Sequence, residues 1–146
     1  MKNSKFIDYI NIVCDMLDIE NPVVHWKDTL HTPTQKAEYQ PDTDALLIAE
    51  QDGELDTLFA VTHELRHKWQ FENRKDMFDN YKNSAELSIT EYNLQSAEVD
   101  ANAYAVYAMS GIIGIRPTFD DLGKEVVRAI EKRVAEIEIE NMELES

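Results

Sequence analysis

At 146 residues, 43% of them hydrophobic and 9% aromatic, the chain is long and apolar enough for one compact domain and is not a disordered segment. The formal net charge of −15 argues against direct nucleic-acid binding and favours basic partner surfaces. No run approaches the roughly 18 apolar residues of a membrane span, the polar start around Asp8, Asn11 and Asp15 is no signal peptide, and a lone Cys14 permits no internal disulfide, so a cytoplasmic protein without membrane contact is expected.

Phe6, Ile7, Ile10, Val13, Cys14 and Leu17 recur at helical spacing and predict a first helix over about residues 3–18, ended by Asn21-Pro22. Cys14 falls on its apolar face, as a packed thiol. Val23-Val24-His25-Trp26 reads as a short strand. Ala37-Glu38-Tyr39 and Ala45-Leu46-Leu47-Ile48-Ala49 flank the turn cluster Pro41-Asp42-Thr43-Asp44 and read as a hairpin. His25 and His31 have no partner at ligand spacing and belong to strand and loop.

Asp52-Gly53 signals a turn, and a helix is expected from about residue 54 to about 72, with Asp56 or Thr57 as candidate caps. Leu55, Leu58, Phe59, Thr62, Leu65, Trp69 and Glu72 make the stripe expected to face the core. Beside it runs a polar stripe of His63, His67 and Gln70, which needs partners if it is buried. His63-Glu64-Leu65-Arg66-His67 is an HExxH motif. Two imidazoles four residues apart on one helix face can grip one Zn²⁺, each at about 2.0–2.1 Å. Glu64, rotated roughly 100° from His63, stands beside the metal and can take a proton from metal-bound water.

A catalytic zinc takes three protein ligands and keeps one position open. The third candidate lies in Glu98-Val99-Asp100-Ala101-Asn102-Ala103-Tyr104-Ala105, within a stretch expected to be mostly helical over about residues 85–109. Glu98 and Asn102 share a face, with small residues Ala101 and Ala105 beside it. Glu98 can complete the coordination, and Asn102 can accept a hydrogen bond from the far nitrogen of a ligand histidine. Asp100 is the runner-up ligand, and Glu91, one heptad before Glu98, is a candidate support for the site. Gln70, on the histidine face, is a further support or substrate contact. A tetrahedral oxyanion needs another donor; Tyr81, Tyr92, Tyr104, Tyr107 and Arg66 are available, with Tyr81 favoured because it lies in the loop of residues 73–84.

His63 to His67 followed by Glu98 to Ala105 resembles the gluzincin pattern of HExxH, a gap and E-x-x-A-N/D-x-[FY]-A. It is most similar to the ImmA/IrrE-like minimal metallopeptidases of bacteria, phages and mobile elements, and to phage-type proteins sharing the stretch His63 to Gln70. The resemblance covers roughly residues 20–110, and Arg66 stands where ImmA/IrrE-like proteins usually carry a small residue. It implies an α+β, mainly helical, zincin-like fold with a short antiparallel hairpin before the HExxH helix. It also implies Glu98 as third ligand, Asn102 as its neighbour in the site, and site-specific cleavage of a regulatory protein. In such folds the strand before the HExxH helix is an edge strand that holds extended peptide, a role that would fall on Ala45–Ala49.

Gly111, Gly114 and Pro117 end the second motif's helix. Thr118 and Asp121 resemble a capping box opening a last amphipathic helix over about residues 119–140, carried by Val126, Val127, Ile130, Val134 and Ile137. Its acidic end, about residues 136–146, opposes the helix dipole and is expected to fray. The whole chain, residues 1–146, reads as one domain. The expected function is hydrolysis of a peptide bond in an intracellular protein, a basic DNA-binding regulator being the partner the charge favours; the alternative is a non-catalytic zinc-binding interaction or regulatory module.

Overall fold

The computed structural model describes residues 2–50 and 53–145. It is mixed α+β and mostly helical, with five α-helices, one 3₁₀ turn and a three-stranded sheet among the described residues. Two compact units divide it, one ending at Asn73 and the other beginning at Arg74.

The first unit opens with α1 (Lys2–Leu17), which buries Phe6, Tyr9, Ile10, Val13, Cys14 and Leu17, the expected apolar stripe with Tyr9 added and Ile7 only partly buried. Asp18, at φ 54°, stops the helix three residues before Asn21-Pro22, because a single left-handed residue ends the helical run. Three strands follow: β1 (Val23–Lys27), β2 (Ala37–Gln40) and β3 (Ala45–Ala49). β2 and β3 form the expected antiparallel hairpin, Ala37 opposite Ile48 and Tyr39 opposite Leu46.

The order β1-β3-β2 corrects the expectation for Ala45–Ala49. β3 is the central strand, paired in parallel with β1, and is not an edge that could hold an extended peptide. Its residues are apolar on both faces, with Ala45, Leu46, Ile48 and Ala49 all buried, and a continuous apolar strand is more stable between two neighbours than at a rim. The edges are β1 and β2.

α2 (Glu54–Asn73) packs on α1, β2 and β3. Its core face carries Leu58, Val61, Thr62 and Leu65; Leu55, expected there, is exposed in the first turn. Gly53, at φ 96°, leads into the helix and its carbonyl accepts from the Thr57 amide, so Asp56 and Thr57 lie inside the first turn and do not cap it. Asp52 of the expected turn lies outside the described residues.

The second unit begins with a 3₁₀ turn at Lys75–Phe78, within the stretch expected as loop. The stretch expected as one helix is two, α3 (Ile89–Asn93) and α4 (Ser96–Ile113). Ser88 and Glu91 close a capping box at the start of α3, Ser88 N donating to Glu91 Oε1 over 3.0 Å and Glu91 N to Ser88 Oγ over 3.1 Å. Glu91 therefore serves a cap. Gly114, at φ 69°, ends α4, while Gly111 is still helical.

α5 (Lys124–Glu145) packs against α4 and buries Val126, Ile130, Val134 and Ile137. It starts after Gly123, whose carbonyl accepts from Val127 N, so Thr118 and Asp121 lie upstream and form no cap for it. The acidic end continues as helix to Glu145, and Arg133 Nη1 donates to both Glu136 Oε1 (3.1 Å) and Glu140 Oε1 (2.9 Å), giving these carboxylates a cation. Ser146 lies outside the described residues.

Candidate metal centre

In the first unit the HExxH motif occupies the middle of α2. Four residues of helix return His67 to the face of His63, and their rings meet edge to face with centroids 4.6 Å apart. Both rings are partly buried. His67 Nδ1 lies 2.8 Å from Gln70 Oε1, and Gln70 is fully buried. An amide oxygen only accepts, so Nδ1 carries the proton and the lone pair of His67, which metal ligation needs, stays on Nε2.

Glu64 is held from the sheet. Its Oε1 accepts from the main-chain N–H of Tyr39 over 2.8 Å, and its Oε2 stands 3.9 Å from His63 Nε2. The β2 ladder explains the first contact. Ala49 N donates to Lys36 O, so Lys36, Glu38 and Gln40 point their main-chain groups at β3, and Ala37 and Tyr39 point theirs away, off the edge. α2 packs on β2 and supplies the acceptor.

A second link joins the same elements. Lys68, one residue past His67, is buried, and its Nζ donates to Asp44 Oδ1 over 2.7 Å; Tyr39 Oη donates to that same oxygen over 2.8 Å. Asp44, at φ 49°, closes the β2–β3 turn. Arg66 is buried too and lays its guanidinium over the Trp69 ring, 3.7 Å from the centroid.

In the second unit Glu98 and Asn102 lie on one face of α4, both buried. A buried carboxylate needs hydrogen-bond donors or a cation. Tyr81 Oη lies 2.9 Å from Glu98 Oε2 and 3.0 Å from the Tyr92 hydroxyl. Burial first, then the Glu98 charge and Tyr92, raise the Tyr81 phenol far above its ordinary range, so it stays a proton donor. The hydroxyl offered to an oxyanion in the sequence reading thus rests on the expected third ligand. Gln95 holds the neighbouring loop, accepting from Lys82 N (2.7 Å) and donating to Lys82 O (2.9 Å), which fixes the chain beside Tyr81. Asp100, the runner-up ligand, is bound by Arg133 Nε over 2.8 Å. Tyr104 is buried in α4 and Tyr107 partly so, with ring centroids 5.7 Å apart.

Three contributors were not foreseen in the sequence. Tyr39 acts through its main chain, which no side-chain pattern reveals, and Asp44 read only as a turn residue. Gln95 carried no motif at all.

Compared with protein-family models, curated proteins and solved structures, the chain matches none.

Proposed function

We propose that this chain is a zinc-dependent peptidase of zincin type, similar to the ImmA/IrrE-like metallopeptidases, with His63, His67 and Glu98 as the ligands of one Zn²⁺ and Glu64 as the general base. The observation that carries the reading is that His63, His67 and Glu98, the residues the motifs select, are among the described residues a group that could hold a metal ion. The donor set suits zinc: two imidazoles and a carboxylate leave a fourth position open. The surroundings suit it as well, since Gln70 orients His67 for coordination through Nε2, and buried Glu98 gains from a cation.

Bound there, Zn²⁺ supplies Lewis-acid chemistry, acidifying water toward a pKa of about 7 and polarising a peptide carbonyl. Glu64 takes a proton on Oε2, its oxygen nearer His63, and delivers it to the leaving amine nitrogen. Tyr81 holds Glu98 by one oxygen, and Gln70 holds the ring of His67. The net charge of −15 favours a protein substrate with a basic surface, such as a DNA-binding regulator, and an association weakened by salt.

The test compares new N-termini produced by the wild type, the Glu64→Gln variant and chelated wild type in a lysate and on candidate basic regulators. The reading expects one or a few cleavages made by the metal-loaded wild type alone. Equal cleavage by Glu64→Gln contradicts the mechanism. No metal-dependent cleavage of any protein moves the chain to the class of non-catalytic zinc modules.

A further inference from the structure

We propose that the main-chain N–H of Tyr39 is the positioning group for Glu64. The inference rests on the peptidase reading above and adds to it how the base is aimed. A glutamate side chain has three rotatable bonds, and on a helix flank it samples several rotamers. One hydrogen bond restricts that freedom here and leaves the second oxygen on the side of His63. Oε1 accepts the Tyr39 amide over 2.8 Å, and Oε2 stands 3.9 Å from His63 Nε2. One oxygen is held by the sheet while the other lies on the side of His63 Nε2.

The anchor is rigid for three reasons. Tyr39 lies in β2, whose other edge is paired to the buried central strand β3. Its hydroxyl donates to Asp44, which is itself held by Lys68 of α2, so the helix carrying Glu64 and the strand carrying the amide are tied twice. The Tyr39 ring also packs beside Phe71 of α2, with centroids 6.3 Å apart. A general base held to a small fraction of an ångström keeps its rate, whereas a misplacement of about 1 Å is worth about a hundredfold.

The amide belongs to the backbone, so no side-chain substitution removes it cleanly. Tyrosine replaced by its α-hydroxy acid at position 39 turns the amide into an ester, which keeps the ring and hydroxyl, deletes the N–H, and weakens the Glu38 carbonyl as an acceptor toward β3. Two readouts decide. The first is amide exchange by NMR, independent of any activity. The Tyr39 N–H points off the sheet edge yet should be protected in the wild type, and Glu64→Ala should speed its exchange about tenfold or more. The Ala49 amide, bonded to Lys36 O, should keep its rate. An unchanged Tyr39 rate in Glu64→Ala overturns the proposal and leaves the peptidase reading standing. The second readout is kinetic, on a peptide cleaved by the wild type and not by Glu64→Gln. The ester should lower kcat about tenfold or more with KM and zinc content unchanged. An unchanged kcat overturns the positioning role. A wild type that cleaves nothing sinks the peptidase reading, and that role with it, while the exchange rates still report the contact.

Discussion

Gln70 Oε1 accepts from His67 Nδ1 across 2.8 Å, three residues along one helix, and this contact decides which imidazole nitrogen keeps its lone pair. Removing such a partner typically lowers metal affinity about 10- to 100-fold. Gln70→Ala should therefore retain the fold but bind zinc about 10- to 100-fold more weakly, measured by competition with a chromophoric chelator. Unchanged affinity would mean that His67 needs no orienting partner.

The Tyr81 hydroxyl on Glu98 predicts a similar loss from the other unit. Tyr81→Phe keeps the ring, which packs edge to face with Phe78 and Tyr92, and deletes only the donor. Zinc affinity should fall about tenfold, with the melting temperature shifted by only a few degrees. A loss of stability with affinity intact would make the hydroxyl purely structural.

The Lys68–Asp44 pair is asymmetric, because Lys68 is buried and Asp44 half exposed. Asp44→Asn strips the nearer of two anions from a buried ammonium, leaving Glu72 Oε2 at 3.7 Å, while Lys68→Met leaves carboxylates that water can reach. Asn tolerates the left-handed backbone at position 44, so strain does not confuse the comparison. Asp44→Asn should destabilise by about 2–4 kcal/mol, more than Lys68→Met, in denaturant unfolding. The reverse order would contradict the buried-cation account.

Burial pushes the Cys14 thiol up to about 11, with nearby Lys68 only partly opposing it. The folded chain should react with iodoacetamide at pH 8 far more slowly than the unfolded chain. Because the folded pKa is raised, this thiol's contribution to stability is full below the unfolded value near 9 and is lost as pH rises from 9 through about 11. Cys14→Ala should flatten that alkaline loss in pH-dependent unfolding; an identical profile would assign the loss to other groups, of which buried Tyr9, raised by burial to about 12, is the first.

Much of the fold was legible because its elements announce themselves locally. The stripe from Phe6 to Leu17 has one helical period, and Pro41 to Asp44 is dense in turn residues, so the helix and hairpin follow from short-range chemistry. Strand order did not follow, since β1 joins β3 in parallel across the whole hairpin and only long-range pairing decides it. The unbroken apolar run of Ala45–Ala49 was the available hint of a central strand. The motifs named His63, Glu64, His67 and Glu98 because metal ligation needs particular side chains at particular spacing. The groups holding them, Tyr39 N–H and the Tyr81 hydroxyl, come from elsewhere in the chain and leave no periodic trace.

Zinc content tests the central claim most directly. Protein purified without a histidine tag and dialysed against metal-free buffer should retain about one zinc per chain by elemental analysis. The His63→Ala, His67→Ala double variant should retain none, and Glu98→Ala should lose it to a chelator that leaves the wild type loaded, while Asp100→Ala, whose carboxylate serves Arg133, should stay loaded. Zinc stoichiometry unchanged in the double histidine variant, or lost in Asp100→Ala and kept in Glu98→Ala, would contradict the account.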